Sequence, residues 1–367
     1  MRRVLVVLGA LVLLLSACGR PAPLSTADRA DLAASALQNQ FYSAGRWRGA
    51  GYWQSAQAFW VVLDEYQRTR ANSWLTTIAQ VYRANSQGTL GNYRAQYVDD
   101  EGWWALDWIR AWDLTGNIAY LNTAKSVFTD MASTWGGTCG GGVWWNHSRT
   151  YKNAIPNELF LLVAVELHER TPGDKGPGSY LDWAEREATW FEQSGMINAR
   201  GQVNDGLTAS CQNNGGNPWT YNQGVILAGL AELYHVTGDR ADLQLAERIA
   251  NAEVQVTPSD GVLLERGCEL SGNCGHDGPL FKGIFIRYLW WLYSYAPLPA
   301  YRHLIVQSVS SIWANDRTPL NTFGLHWAGP APAPVMVAVE PDIAATMALT
   351  STATNLPTPA RTGPPVS

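Results

Sequence analysis

Apolar side chains recur at helical spacing along nearly the whole chain, and the connections between these stretches alternate between short and long. Ile118, Leu121, Ala124, Phe128 and Met131 mark one face; Ala56, Phe59, Leu63 and Tyr66 mark another, as do Ile226, Leu230 and Leu233. Strand-like alternation is scarce. Gly, Pro and capping signals place twelve helices near 28–43, 53–70, 72–87, 100–115, 118–133, 154–170, 178–194, 219–237, 239–255, 279–296, 299–315 and 335–352. Within the last, Pro341 kinks the helix if it sits early and breaks it if central.

After even-numbered helices the connections are tight, as at Gly116-Asn117 and Gly238, with 171–177 of modest length. After odd-numbered helices most are long and rich in Gly, Trp, Asn and Cys: 88–99, 134–153, 195–218, 256–278 and 316–334. Helices joined by tight turns run antiparallel, so every long connection emerges at one end. The pattern predicts an all-α fold, an (α/α)6 barrel of six hairpins. Its loop-rich end is where a functional site belongs.

The first residues bear on compartment. Arg2 and Arg3 precede an apolar run from Val4 to Leu15 that is too short to span a bilayer. Leu15-Ser16-Ala17-Cys18 then resembles a bacterial lipobox. Residues 1–17 read as a signal peptide, Cys18 as the lipidated residue, 18–27 as a linker, 28–353 as the catalytic domain and 354–367 as a disordered Pro/Thr-rich tail. The expectation is an exported monomer held by its lipid on the outer face of the membrane. Loss of the leader leaves 24 basic against 31 acidic residues, a balance of −7. That charge excludes the basic footprint of a nucleic-acid binder. The chain carries 18 Trp with only 16% charged residues, a composition suited either to sugar-ring platforms or to an indole-heavy helical core.

At the loop-rich end, helix 4 opens with Tyr97-Val98-Asp99-Asp100-Glu101-Gly102-Trp103-Trp104. Adjacent carboxylates at a helix start have a plain explanation as a cap and a macrodipole partner. A cap does not require two indoles beside it. Glycoside hydrolysis needs two carboxyl groups, about 5–5.5 Å apart for retention and about 6.5–9.5 Å for inversion. Neighbouring Cα atoms stand about 3.8 Å apart, so splayed side chains reach the shorter separation more naturally. One carboxyl must stay ionised and the other protonated, which mutual charge and nearby indoles favour.

These residues resemble a family. Asp99 to Arg110, followed by Asp113-Leu114-Thr115-Gly116, is similar to the glycoside hydrolase family 76 endo-α-1,6-mannanases. So are Thr138-Cys139-Gly140-Gly141-Gly142-Val143-Trp144-Trp145, Tyr151-Lys152-Asn153-Ala154-Ile155 and Val203-Asn204-Asp205-Gly206. Trp219 to Gly224, Phe281 to Phe285, Asn315, Arg317 and Trp327 to Pro330 complete the set, in order over roughly 28–330. The resemblance implies retaining cleavage of α-1,6-linked mannan, with Asp99 as nucleophile and Asp100 as general acid/base. It implies no metal and no cofactor, and no H-E-x-x-H or D-x-D-x-D-G spacing occurs. A transglycosidase on the same mannan, or a non-hydrolytic glycan-binding lipoprotein, are the competing readings.

Candidate substrate contacts are Trp103, Trp104, Trp144, Trp145, Asn153, Asn204, Asp205, Tyr221, Asp277 and Lys282. Several have structural alternatives: an Asx-turn for Asn204 and Asp205, a helix cap for Asp277, a carboxylate pair for Lys282. His147 and His326 read as loop hydrogen-bonding residues. Cys268, Cys274 and His276 imitate a zinc cluster, but an exported chain favours disulfides. The expected pairs are Cys139–Cys211, between neighbouring loops, and Cys268–Cys274, closing a small one.

Overall fold

The computed structural model describes residues 23–354; the expected signal peptide, Cys18 and nearly all of the expected C-terminal tail lie outside the described residues. Twelve α-helices follow in order: α1 (Thr26–Phe41), α2 (Tyr52–Thr69), α3 (Asn72–Asn85), α4 (Val98–Thr115), α5 (Ile118–Ser133), α6 (Ala154–Glu169), α7 (Tyr180–Gln193), α8 (Thr220–Thr237), α9 (Arg240–Val256), α10 (Phe281–Tyr293), α11 (Pro299–Ser311) and α12 (Val339–Ala353). A two-stranded hairpin, β1 (Tyr42–Ser43) and β2 (Arg46–Trp47), joins α1 to α2.

The even-numbered helices form a closed ring. Each packs on the next, α2 on α4, then α6, α8, α10 and α12, and α12 returns to α2. The odd-numbered helices lie outside, α5 on α4, α7 on α6, α9 on α8 and α1 on α12. The sequence carries this division. In α6 every residue from Ala154 to Leu167 is buried, whereas α7 and α9 bury only one stripe. Close helix packing in the ring uses small residues: a Cβ on Gly224 would come 2.9 Å from Phe285 Cα, and one on Gly283 would come 2.4 Å from Ala344 O.

Turn chemistry sets the plain end. Gly116 and Gly238 close α4 and α8 in the left-handed conformation, and Asn117 and Asp239 cap the helices that follow. The last helix begins at Val339 rather than near residue 335, which places Pro341 in the first turn. There its missing N–H has no intrahelical bond to lose, so α12 runs unbroken.

All six inner helices therefore point their N-termini at the loop-rich mouth. Both disulfides lie at this end, Cys139–Cys211 tying the α5–α6 loop to the α7–α8 loop and Cys268–Cys274 closing a turn before α10. The sulfurs of Cys268 and Cys274 are thus not thiolate ligands.

Candidate active site

Asp99 and Asp100 occupy the first turn of α4, but neither caps it. The N-cap is Tyr97, whose side chain makes no capping bond. The α5–α6 loop docks on this helix start: Trp145 O accepts from Val98 N at 2.8 Å, and Trp145 N donates to Tyr151 O at 2.8 Å. With its ring 4.6 Å from that of Tyr97, Trp145 turns its Nε1 to Asp99 Oδ2 at 3.3 Å. The other oxygen, Asp99 Oδ1, is buried without a protein partner.

The two acids differ in surroundings. Burial pushes Asp99 up to about 7, opposed by the Trp145 N–H and by backbone N–H groups of Asp99 and Asp100. Asp100 has no such donor. Burial raises it well above the usual carboxylate range, and the charges of Asp99, Asp277 and Glu101 push the same way. Among the described residues, no Lys, Arg or His forms an ion pair with either. The ionised form therefore belongs more readily to Asp99 and the protonated form to Asp100.

Asp277 brings a third carboxylate. Its Oδ1 accepts from Trp53 Nε1 at 2.9 Å and Gln54 Nε2 at 2.8 Å, latching the α9–α10 loop onto the start of α2. Trp53 stacks between Trp103 and Phe281, with centroids at 6.1 and 6.5 Å, and Phe281 stacks on Tyr221 at 3.9 Å. An aromatic wall thus runs across α4, α2, α10 and α8. The Tyr221 hydroxyl is held far above its usual range by burial and by Asp205 and Asp99. Asp205 accepts from Tyr151 OH at 2.6 Å, and Asn214 Nδ2 donates to that same hydroxyl at 2.7 Å. Asn153 stands at the N-cap of α6, buried, with Oδ1 unpartnered.

Four expected sugar contacts have other work. Trp104 has no exposed surface and stacks on Trp108, Tyr52 and Phe59, so it is core. Trp103 is 3% exposed, covered by Trp53 and with the Arg287 guanidinium 5.7 Å from its ring. Lys282 is 1% exposed, pairs with Glu269 at 2.8 Å and donates to Leu325 O at 2.7 Å, bracing two loops. Asn204 is buried; its Oδ1 accepts from Asn198 at 2.8 Å and its amide donates to Gly216 O, fixing the α7–α8 loop. Helical spacing and motif position show which end a residue occupies but not whether a neighbour covers it. Trp144 is half-buried with the Lys152 ammonium 4.9 Å from its ring, while Trp145 remains beside Asp99.

Sequence reasoning did not single out Trp53, Gln54 or the hydroxyl of Tyr151. Trp53 and Gln54 follow Gly51 at the start of α2, and the arrival of an inner-helix N-terminus at the mouth was the available signal. In the sequence Glu101 stands out only as part of the Asp99–Arg110 motif. It is fully buried, bonded by Ala95 N at 2.8 Å, and lies 3.4 Å from His147 Nε2.

Comparison with known proteins agrees with the helical barrel fold. Residues 25–361 match the model of glycosyl hydrolase family 76. The mannan endo-1,6-alpha-mannosidase DCW1 of Saccharomyces cerevisiae is 28% identical over 301 residues, covering 77% of this chain and 66% of that protein. A putative mannan endo-1,6-alpha-mannosidase of Schizosaccharomyces pombe is 28% identical over 283 residues, covering 71% and 63%. The matched part is thus just under two thirds of those relatives' length. The GH76A alpha-1,6-mannanase of Salegentibacter sp. HEL1_6 shares the fold at a TM-score of 0.78 and 23% identity, over 90% of this chain and 99% of that one. An inactive variant of the same enzyme, with two consecutive aspartates exchanged for asparagine and α-1,6-mannotriose bound, matches at a TM-score of 0.78 and 22% identity over the same shares. With all twelve helices of its barrel inside the family match, the chain belongs to glycosyl hydrolase family 76.

Proposed function

We propose that this protein is a retaining endo-α-1,6-mannanase in which Asp99 is the nucleophile and Asp100 the general acid/base. The observation that carries the reading is the uncompensated Asp99–Asp100 pair at the mouth, with a hydrogen-bonded acid next to one without donors. Asp99-Asp100 is also the one Asp-Asp dipeptide in the chain, and a mannanase of the same fold was made inactive by exchanging two consecutive aspartates.

In the first step Asp99 carboxylate attacks the anomeric carbon of an α-mannosyl unit. The bond to O6 of the next mannose breaks as Asp100 delivers its proton to that oxygen. Asp100, now ionised, takes a proton from water as the water oxygen attacks the anomeric carbon and releases Asp99. Two inversions return the α anomer. The wall from Trp53 to Tyr221, backed by Trp103, bounds the cleft, and Trp145, Asn153, Asp205 and Asp277 are candidate contacts to sugar hydroxyls. The substrate is an α-1,6-mannan or a mannose-containing envelope glycan. The chain acts as a monomer outside the cell, lipid-anchored at Cys18, without a cofactor.

Proton NMR of the fresh products from linear α-1,6-oligomannosides tests linkage and stereochemistry together. The α anomer appears first; first release of the β anomer, or no cleavage of α-1,6 linkages, would overturn the reading. An added oligomannoside acceptor separates hydrolysis from transfer to sugar, and dual labelling of cells with membrane fractionation tests the anchor.

A further inference from the structure

Three residues from three separate elements converge, one of them next to the Asp99–Asp100 pair in sequence. Glu101 comes from α4, Asp130 from α5 and His147 from the α5–α6 loop; one ligand atom of each lies within 4.8 Å of the others. Glu101 has no exposed surface. Its Oε1 accepts from Ala95 N at 2.8 Å and faces His147 Nε2 at 3.4 Å, whereas Oε2 is buried with no hydrogen-bond partner. Asp130 repeats the arrangement. Arg94 Nη1 lies 3.7 Å from Asp130 Oδ1, while Oδ2, 3.3 Å from His147 Nε2, is buried and unbonded.

A proton on His147 serves this cluster poorly. A single N–H reaches one acceptor well, and here it is divided between two carboxylates at 3.3 and 3.4 Å. It also leaves Glu101 Oε2 buried without a donor, which costs stability. A tetrahedral metal held by His147 Nε2, Asp130 Oδ2 and Glu101 Oε2 would remove both difficulties. Ligands about 2.0–2.1 Å from zinc stand about 3.4 Å apart; His147 Nε2 lies 3.3 Å from Asp130 Oδ2, and one ligand atom of each of the three residues lies within 4.8 Å of the others. Each carboxylate has one oxygen held by an outer partner, Ala95 N–H or Arg94, as metal ligands commonly do. His147 is partly exposed, so the cluster is reachable from solvent.

We propose that Glu101, Asp130 and His147 bind one divalent cation of the zinc class, separate from the Asp99–Asp100 pair, which pins the Trp145 loop to α4 and α5. His147 lies two residues beyond Trp145, and Glu101 follows Asp100. The ion would therefore fix the donor of Asp99 against the helix that carries both acids. A histidine with two carboxylates suits zinc better than calcium, which prefers six or more oxygens.

The test uses purified protein stripped by chelator and titrated calorimetrically with zinc chloride near neutral pH. One zinc per chain is expected, with a rise in Tm as zinc is added and visible absorption bands when cobalt replaces it. His147→Ala and Asp130→Asn should each weaken binding at least ~10-fold. Glu166→Gln, in the acidic cluster at the opposite end, should leave it unchanged. No saturable binding up to about 1 mM zinc, or binding that survives both His147→Ala and Asp130→Asn, overturns the site. Saturation by calcium in preference to zinc overturns the metal class. Because His147 is at the loop surface, circular dichroism should show its variant folded; if not, Asp130→Asn and the cobalt spectrum decide alone. None of these readouts involves mannan, so failure here leaves the proposed activity standing.

Discussion

The two ends of the barrel both gather acidic side chains, yet they treat them in opposite ways. At the plain end Arg170 contacts Asp113, Glu166 and Glu169, with N···O distances of 2.7, 2.8 and 3.5 Å, and Arg110 pairs with Asp64 at 2.5 Å. Glu232 accepts from Trp291 and, at 2.8 Å, from Tyr295. At the mouth, Asp99 has one indole donor, Asp100 has none, and Asp277 adds a further negative charge. Burying a carboxyl without a cation is costly. The plain end offsets that cost with arginines. At the mouth Lys282 pairs with Glu269, but around Asp99 and Asp100 the cost is retained, and the six inner-helix N-termini that point there offset only part.

The largest effect that would break this contrast is on turnover. Asp99→Asn and Asp100→Asn should each lower kcat on α-1,6-mannan by about 10³-fold or more, while both variants remain folded. Azide should rescue a truncated Asp99 but not by the same route a truncated Asp100. Full activity in both variants would remove the functional meaning of the mouth.

The next effect is on stability, at the other end. Arg170→Ala strands Glu166, which is buried, and should cost about 3–5 kcal/mol in urea unfolding. The kcat of the molecules that stay folded should be unchanged. A variant as stable as the parent would show that the plain-end network does not offset buried charge.

A third, smaller effect sharpens the comparison through pH. Asp99 is pushed up to about 7 in the folded chain, above its unfolded value. Its contribution is therefore complete below about pH 4 and lost as pH rises through about 7. Asp99→Asn should match the parent Tm near pH 4 and exceed it increasingly up to about pH 8. An equal Tm difference at both values would mean that the fold does not raise the pKa of this acid. The smallest effect is expected from Trp145→Phe, which removes the 3.3 Å donor to Asp99. It should raise the acid limb of the kcat/KM profile and lower kcat/KM by about 5–10-fold, as loss of one long hydrogen bond worth about 1 kcal/mol predicts.

Helix number, order and the crowding of long loops at one end were legible because they depend on near neighbours. Period, caps such as Asn117 and Asp239, and left-handed Gly116 and Gly238 act within a few residues. The disulfide partners also followed, since loops after successive odd helices must lie side by side. The burial of Trp103 and Trp104 was not legible. Their partners Trp53, Tyr52 and Phe59 come from α2, about fifty residues away along the chain. Lys282 looked like a mouth residue until Glu269 and Leu325 closed over it.

The sequence by itself determined an all-α barrel with a consecutive aspartate pair at the end where its loops gather. Those features are written in local spacing, which survives without knowledge of contacts. Tertiary structure alone decided which charges go unpaired, which indoles are walls and which are core, and that Glu101, Asp130 and His147 meet at all. The reason is that burial and electrostatic compensation belong to neighbours in space, and ring closure by α12 on α2 chooses those neighbours.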